Sequence, residues 1–172
     1  MKYLQSGGFQ NQPLMRLTLG LALLLLAGFW VTNLALYLSH MSLDPASVVN
    51  YYRGNEADFL PARSASSMLE VTHMHLPMFA VVLLLLTHLL IFAPMRFATK
   101  VSFIIAAFGS ALLSEAAGWM TRFWHPGFAV LKVAMFVVFQ AMLAYLIVGL
   151  GLFLARAGST GGKKHAARRH HP

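Results

Sequence analysis

The residues in this chain that could carry chemistry are histidines, one glutamate and one lysine, and they gather at one depth of a very apolar sequence. His40 ends the first hydrophobic run, His73 and His75 open the second, and His125 follows the third. Glu115 lies one turn before the end of that third run, and Lys132 about one turn into the fourth. Upstream of the tail only His88 lies deep, towards the opposite side. Neutral imidazole is the usual nitrogen ligand of haem iron, copper and zinc. The chain has no Cys, which excludes disulfides, thiolate-held iron–sulfur or zinc sites and covalent c-type haem. Any haem or metal must therefore be held by His, Met or carboxylate.

The richest stretch is Thr72-His73-Met74-His75-Leu76-Pro77. Pro77 lacks an N–H and leaves the carbonyl of His73 without its helical partner, so a kinked or loosened helix is expected there. In a regular helix His73 and His75 point about 200° apart, and only local unwinding at Pro77 would let both reach one ion. His88, 15 residues after His73, shares its face at a separation of about 22 Å. No His in another run sits at the depth of His88, and Met15 and Met95 lie only at the boundary. One haem near the outer face, with axial ligands from His40, His73 or His75, and His125, fits these residues better than two. Upstream, Ser67 with Glu70 three residues on has the form of a capping box, which gives Glu70 a structural task.

A charge inside a bilayer is costly unless paired or functional. Glu115 and Lys132 fall at similar depths on consecutive runs, so a buried ion pair is the simplest expectation. The catalytic alternative makes Glu115 a proton acceptor at a quinol pocket, with Trp119, four residues along the same face, as an aromatic wall. Asn33 and Gln140 are expected to form interhelical hydrogen bonds, and Gly149 with Gly151 to allow close packing.

The elements that must position these residues follow from composition. Of 172 residues, 58% are hydrophobic and 10% charged, whereas a soluble domain carries roughly a quarter as Asp, Glu, Lys and Arg. A hydrocarbon core of about 30 Å needs about 20 helical residues. Four runs meet that length, at about 14–38, 71–92, 101–119 and 128–154. The first is too long for a signal-peptide core and is expected to be retained. The fold class is thus an all-α polytopic membrane protein, an antiparallel bundle of four transmembrane helices with a short extracytoplasmic helical loop at 39–70. The short link from Pro94 to Lys100 makes the second and third runs neighbours. In that outer loop Asp44-Pro45 marks a helix start, Gly54 a stop, and Tyr51, Tyr52 and Arg53 suit headgroup depth.

Lys2, Arg16, Arg96, Lys100, Arg156, Lys163, Lys164, Arg168 and Arg169 fall on one side, against Arg53, Arg63, Arg122 and Lys132 on the other. The positive-inside rule then puts both termini in the cytoplasm of a bacterial inner membrane. All five acids lie on or near the opposite face. Topology therefore accounts for the net charge of +8 without nucleic acid. Residues 1–158 form a single membrane domain, and 159–172 a mobile basic tail that touches anionic lipid and whose His165, His170 and His171 offer a further metal site.

With Thr72-His73-Met74-His75 and His88 on such a bundle, the chain resembles the small four-helix b-type cytochromes of bacterial inner membranes, which pass electrons between the quinone pool and periplasmic carriers. The resemblance implies haem b, quinone and partner redox subunits. The better known families pair His residues on several helices, whereas the third and fourth runs here contain none. Two other readings stand beside it: a non-catalytic accessory subunit of a larger membrane complex, and a periplasmic-facing copper or zinc site built on His73 and His75. No nucleophile, phosphate loop or hydrolase constellation occurs in the sequence.

Overall fold

The structure, a computed structural model, describes residues 12–168, with side chains for 12–155. Five helices follow in order: α1 Pro13–His40, α2 Pro45–Arg53, α3 Ala65–Ile91, α4 Phe97–Phe123 and α5 Phe128–Arg168. α1, α3, α4 and the Phe128–Ala155 part of α5 are long and apolar enough to cross a membrane. The protein is an all-helical membrane protein with four such helices. Among the described residues the β-type pairing is a single bridge, Asn55 with Leu60, in the loop after α2.

Local chemistry sets the ends. Pro13 opens α1 with a fixed φ and no wasted N–H. Asp44 caps α2 by accepting from the Ala46 N–H at 3.1 Å, as expected from Asp44-Pro45. Gly54 ends α2 at φ 82°, where a Cβ would also meet the Leu60 carbonyl oxygen at 2.6 Å. Only glycine fits there.

Three expectations need correction. α3 starts at Ala65, capped by the Ser64 hydroxyl accepting from the Ser67 N–H at 3.2 Å, so Ser67 and Glu70 form no capping box. Helix propagates outwards from the apolar run until the first good cap, and Ser64 supplies it. α3 also continues as helix through Pro77, so the chain does not unwind there. One lost bond is tolerated in a 27-residue ladder packed among other helices. Finally, α5 continues to Arg168 through the expected irregular tail. Ala, Lys and Arg are good helix formers, and basic residues in a last turn favour its negative end. The side chains of Lys163, Lys164, His165 and Arg168, and all of Arg169 to Pro172, lie outside the described residues.

The start of α3 meets the end of α4, where the Trp119 indole N–H donates to Thr72 Oγ1 at 2.9 Å. At the other end Lys100 Nζ, in the first turn of α4, donates to the Ile91 carbonyl at 2.7 Å. α4 packs most extensively on α5. α1 leans on α5 through Tyr37 stacked on Phe136, with centroids 3.6 Å apart, and through the Trp30 indole N–H donating to the Gln140 carbonyl at 3.1 Å. α2 lies across α4 and α5, and Tyr52 sits where a Cβ on Gly118 would be only 2.7 Å from its hydroxyl. Two apolar clusters result. One at the α2 end joins Tyr37, Met41, Val48, Tyr52, Met68 and Phe136, and the larger joins Leu83, Leu86, Leu143, Leu146 and Leu150.

The expected roles of Gln140 and the glycine pair are not realised. Gln140 bonds α1 through its backbone carbonyl, and its side-chain Oε1 and Nε2 are buried without partners. Gly149 and Gly151 have nothing within 4 Å of a built Cβ, so no helix approaches closely there.

Candidate functional site

At the α2 end of the bundle the structure gathers a polar group between α3 and α4. Thr72 and His75 are three residues apart on α3, and Glu115 and Trp119 four apart on α4, so each pair lines one face of its helix. The two faces meet. His75 Nδ1 is 2.8 Å from Glu115 Oε1, and Thr72 donates to Glu115 Oε2 at 3.4 Å while accepting from Trp119. The His75 side chain is 34% exposed and Glu115 13%. An ionised carboxylate only accepts, so Nδ1 carries the hydrogen, and in the neutral imidazole Nε2 is left as an acceptor. His75 also tilts against Phe79, with centroids 5.2 Å apart.

Lys132 does not pair with Glu115 by contact. Its Nζ donates to Ser114 Oγ at 3.1 Å, and the His75–Glu115 contact is the one close approach of a basic to an acidic side chain among the described residues. Neighbours on a helix diverge by 100°, so Ser114 turns to α5 while Glu115 turns to α3. Lys132 is buried, at 7% exposure. Trp119 borders only a narrow crevice beside Glu115. It is a hydrogen-bond donor that stacks on Phe123 at 5.6 Å. The crevice bounded by Tyr52, Thr72, Glu115, Gly118 and Trp119 holds about 40 Å³, which is room for a water molecule rather than a ligand ring.

The other expected ligands are dispersed. His73 is exposed, and the unbroken helix turns it about 200° away from His75. His40 is exposed, with its ring 5.7 Å from that of Tyr51. His125 is exposed and accepts from the Gly127 N–H at 3.0 Å. His88 is exposed and edge-on to Phe92 at 5.5 Å. Among the described residues no three His, Asp or Glu side chains are placed to hold a metal ion. The structure thus joins Glu115 with His75 alone. Sequence reasoning missed Thr72 and Ser114, although the spacing of Thr72 from His75 was a usable signal.

Helix lengths, apolar surfaces and a polar group between spans define an integral membrane protein. Residues 42–161 match the family model Aq_1264_TM, described as a transmembrane helical domain, and the chain belongs to that family. The matched stretch takes in α2, α3 and α4 and most of α5, and α1 precedes it. No curated protein and no solved structure matches the chain.

Proposed function

We propose that the protein is a quinone-binding subunit of respiratory electron transfer in a bacterial inner membrane, an antiparallel bundle with both termini cytoplasmic. The excess of Lys and Arg on the side of the chain ends supports this orientation. The observation that carries the reading is the 2.8 Å contact between His75 and Glu115, a partly buried ionisable pair between two spans. Such groups in lipid are costly and mark proton or ligand sites. His75 Nε2 accepts a hydrogen bond from a quinol hydroxyl and takes its proton, while Glu115 orients the ring and stabilises the imidazolium that forms. The second proton leaves to water, and both electrons leave to a redox centre of a partner subunit.

A haem b, copper or zinc centre built by this chain alone does not fit the described residues, because His75 is the only expected ligand shielded by the bundle and no second imidazole joins it. No step is routed through such a centre. Both this proposal and the alternative of a non-catalytic accessory subunit need a partner, and the sparse packing of α1, which buries only Leu23 and Tyr37 among its described residues, leaves a helix face for one.

Titration of the detergent-purified protein with a short-chain quinone, followed by tryptophan quenching, tests the site. Saturable quenching is expected, weakened roughly tenfold or more in Glu115→Gln and in His75→Phe by loss of charge-assisted hydrogen bonds. Equal binding by both variants and the wild type would sink the proposal. A b-type haem band in the reduced-minus-oxidised spectrum of the purified chain would overturn the assignment of the electron carrier to a partner.

A further inference from the structure

A second, larger cavity lies beside the crevice that Glu115 lines and shares Tyr51, Arg63 and Ser67 with it. With a volume of about 680 Å³, it opens between the end of α1, α2, the loop before α3 and the first turn of α3. Its lining includes one guanidinium, Arg63, together with His40, Asn50 and the hydroxyls of Ser47, Ser64 and Ser67. No carboxylate lines it. Arg63 has no ion-pair partner among the described residues, which is unusual for a half-shielded cation.

Arg63 is nonetheless held firmly. Nη2 donates to the Tyr51 hydroxyl at 2.7 Å, the guanidinium lies 4.4 Å from the Tyr51 ring centroid, and Nη1 approaches Ser67 Oγ at 3.5 Å. Its backbone N–H donates to the Tyr52 carbonyl at 3.0 Å, and its own carbonyl accepts from Arg122 Nε at 2.7 Å. A guanidinium has five N–H donors, so two neutral partners leave several unused. Positive charge is further raised by Arg122 next to it and by the N-terminal end of α3. A fixed cation with spare donors, facing a cavity lined by hydroxyls and no acid, is the arrangement that receives an oxyanion.

Depth narrows the choice. Ser39 and His40 are the last residues of one membrane-crossing helix and Ser64 caps the start of another, so the cavity lies at the ends of two spans. That is where phospholipid phosphates lie. We infer that this cavity binds a phosphate group, with Arg63 as its anchor and Asn50 and the serine hydroxyls as further hydrogen-bonding groups. The same chemistry would accept an anionic phospholipid headgroup or free phosphate.

The full-length protein in maltoside detergent is titrated with short-chain phosphatidylglycerol, followed by native mass spectrometry, and separately with inorganic phosphate by calorimetry. Two variants are compared. Arg63→Gln removes the anchor. Asn50→Asp is isosteric, at an exposed position of α2, and places a competing carboxylate in the lining. Saturable binding by the wild type, weakened roughly tenfold or more in both variants, is expected from loss of a charge-assisted contact. Binding of the lipid alone supports the proposal with a headgroup as ligand. Binding of inorganic phosphate alone supports it with a soluble ligand. The proposal is overturned if the wild type binds neither probe, or if Asn50→Asp with an unchanged melting temperature binds as the wild type does.

Discussion

The two halves of the bundle are held by different means. At the α2 end, side chains of different spans are tied by directional hydrogen bonds: His75 and Thr72 to Glu115, Trp119 to Thr72, and Lys132 to Ser114. In the other half, apart from Lys100 at the helix ends, polar side chains turn back on their own helices, as Thr87 does to the Leu83 carbonyl at 2.6 Å and Ser110 to the Ala107 carbonyl at 3.1 Å. There the helices meet through Leu83, Leu86, Leu143 and Leu146, each at most 1% exposed. Lipid is as apolar as leucine, so burial of these side chains gains little from leaving the membrane solvent, and close van der Waals packing must supply the attraction. Packing fixes distances but tolerates rotation. Hydrogen bonds fix azimuth, and the functional candidates lie where azimuth matters.

The contrast breaks most visibly if the packed half is opened. Leu143 is fully buried against neighbours on α5, α3 and α4 in the larger cluster. Leu143→Ala is expected to cost about 2–3 kcal/mol, chiefly through the cavity left behind. Unfolding in mixed micelles with increasing denaturing detergent measures this. The quinone binding proposed at His75 should survive in the folded fraction of the variant. If affinity at His75 falls in proportion to stability, the two halves are not separable.

What the sequence revealed divides along the same line. Long apolar runs are obligatory in lipid, so all four spans were found, and the Asp44-Pro45 start and Gly54 stop of α2 act through local chemistry alone. Helix ends that extend into water are harder to place, because the cap decides there and hydropathy does not: α3 begins at Ala65 behind the Ser64 cap rather than behind Ser67. Depth could be read from position, but azimuth could not. His40, His73, His75 and His125 do share ends of spans, yet only His75 is shielded by the bundle. Glu115 and Lys132 share a depth, yet a 100° step sends Lys132 to Ser114. Orientation about a helix axis depends on which neighbours pack where, and that is settled between distant parts of the chain.

Gln140 marks the boundary between the halves and sharpens it. Both its side-chain polar atoms are buried without a partner, while its backbone carbonyl holds the Trp30 indole. An unsatisfied amide costs about 1–3 kcal/mol, and Leu has a similar reach without that cost. Gln140→Leu is therefore expected to stabilise the bundle by about 1 kcal/mol in the same micelle unfolding assay. Destabilisation would mean that the polar region reaches one layer deeper, with a solvent or partner group satisfying the amide.

The smallest effect belongs to Tyr52, which joins α2 to the polar end from outside the spans. Burial raises its pKa above the usual phenol value, and the nearby carboxylate of Glu115 and the phenols of Tyr51 and Tyr37 push it the same way. The folded state therefore keeps the Tyr52 proton to higher pH than the unfolded state does. Stability from this group is fully present below the unfolded pKa of about 10 and is lost as pH rises from there towards the folded value. The loss is about 0.4 kcal/mol at pH ~10 and grows above it. Tyr52→Phe keeps the ring that packs beside Gly118 and removes the titrating group. Its stability difference from the wild type should be flat at neutral pH and shift in favour of the variant above pH ~10. A difference that stays constant through that range would show that α2 is already released from α4 and α5 when the phenol ionises, and that the polar end holds together without it.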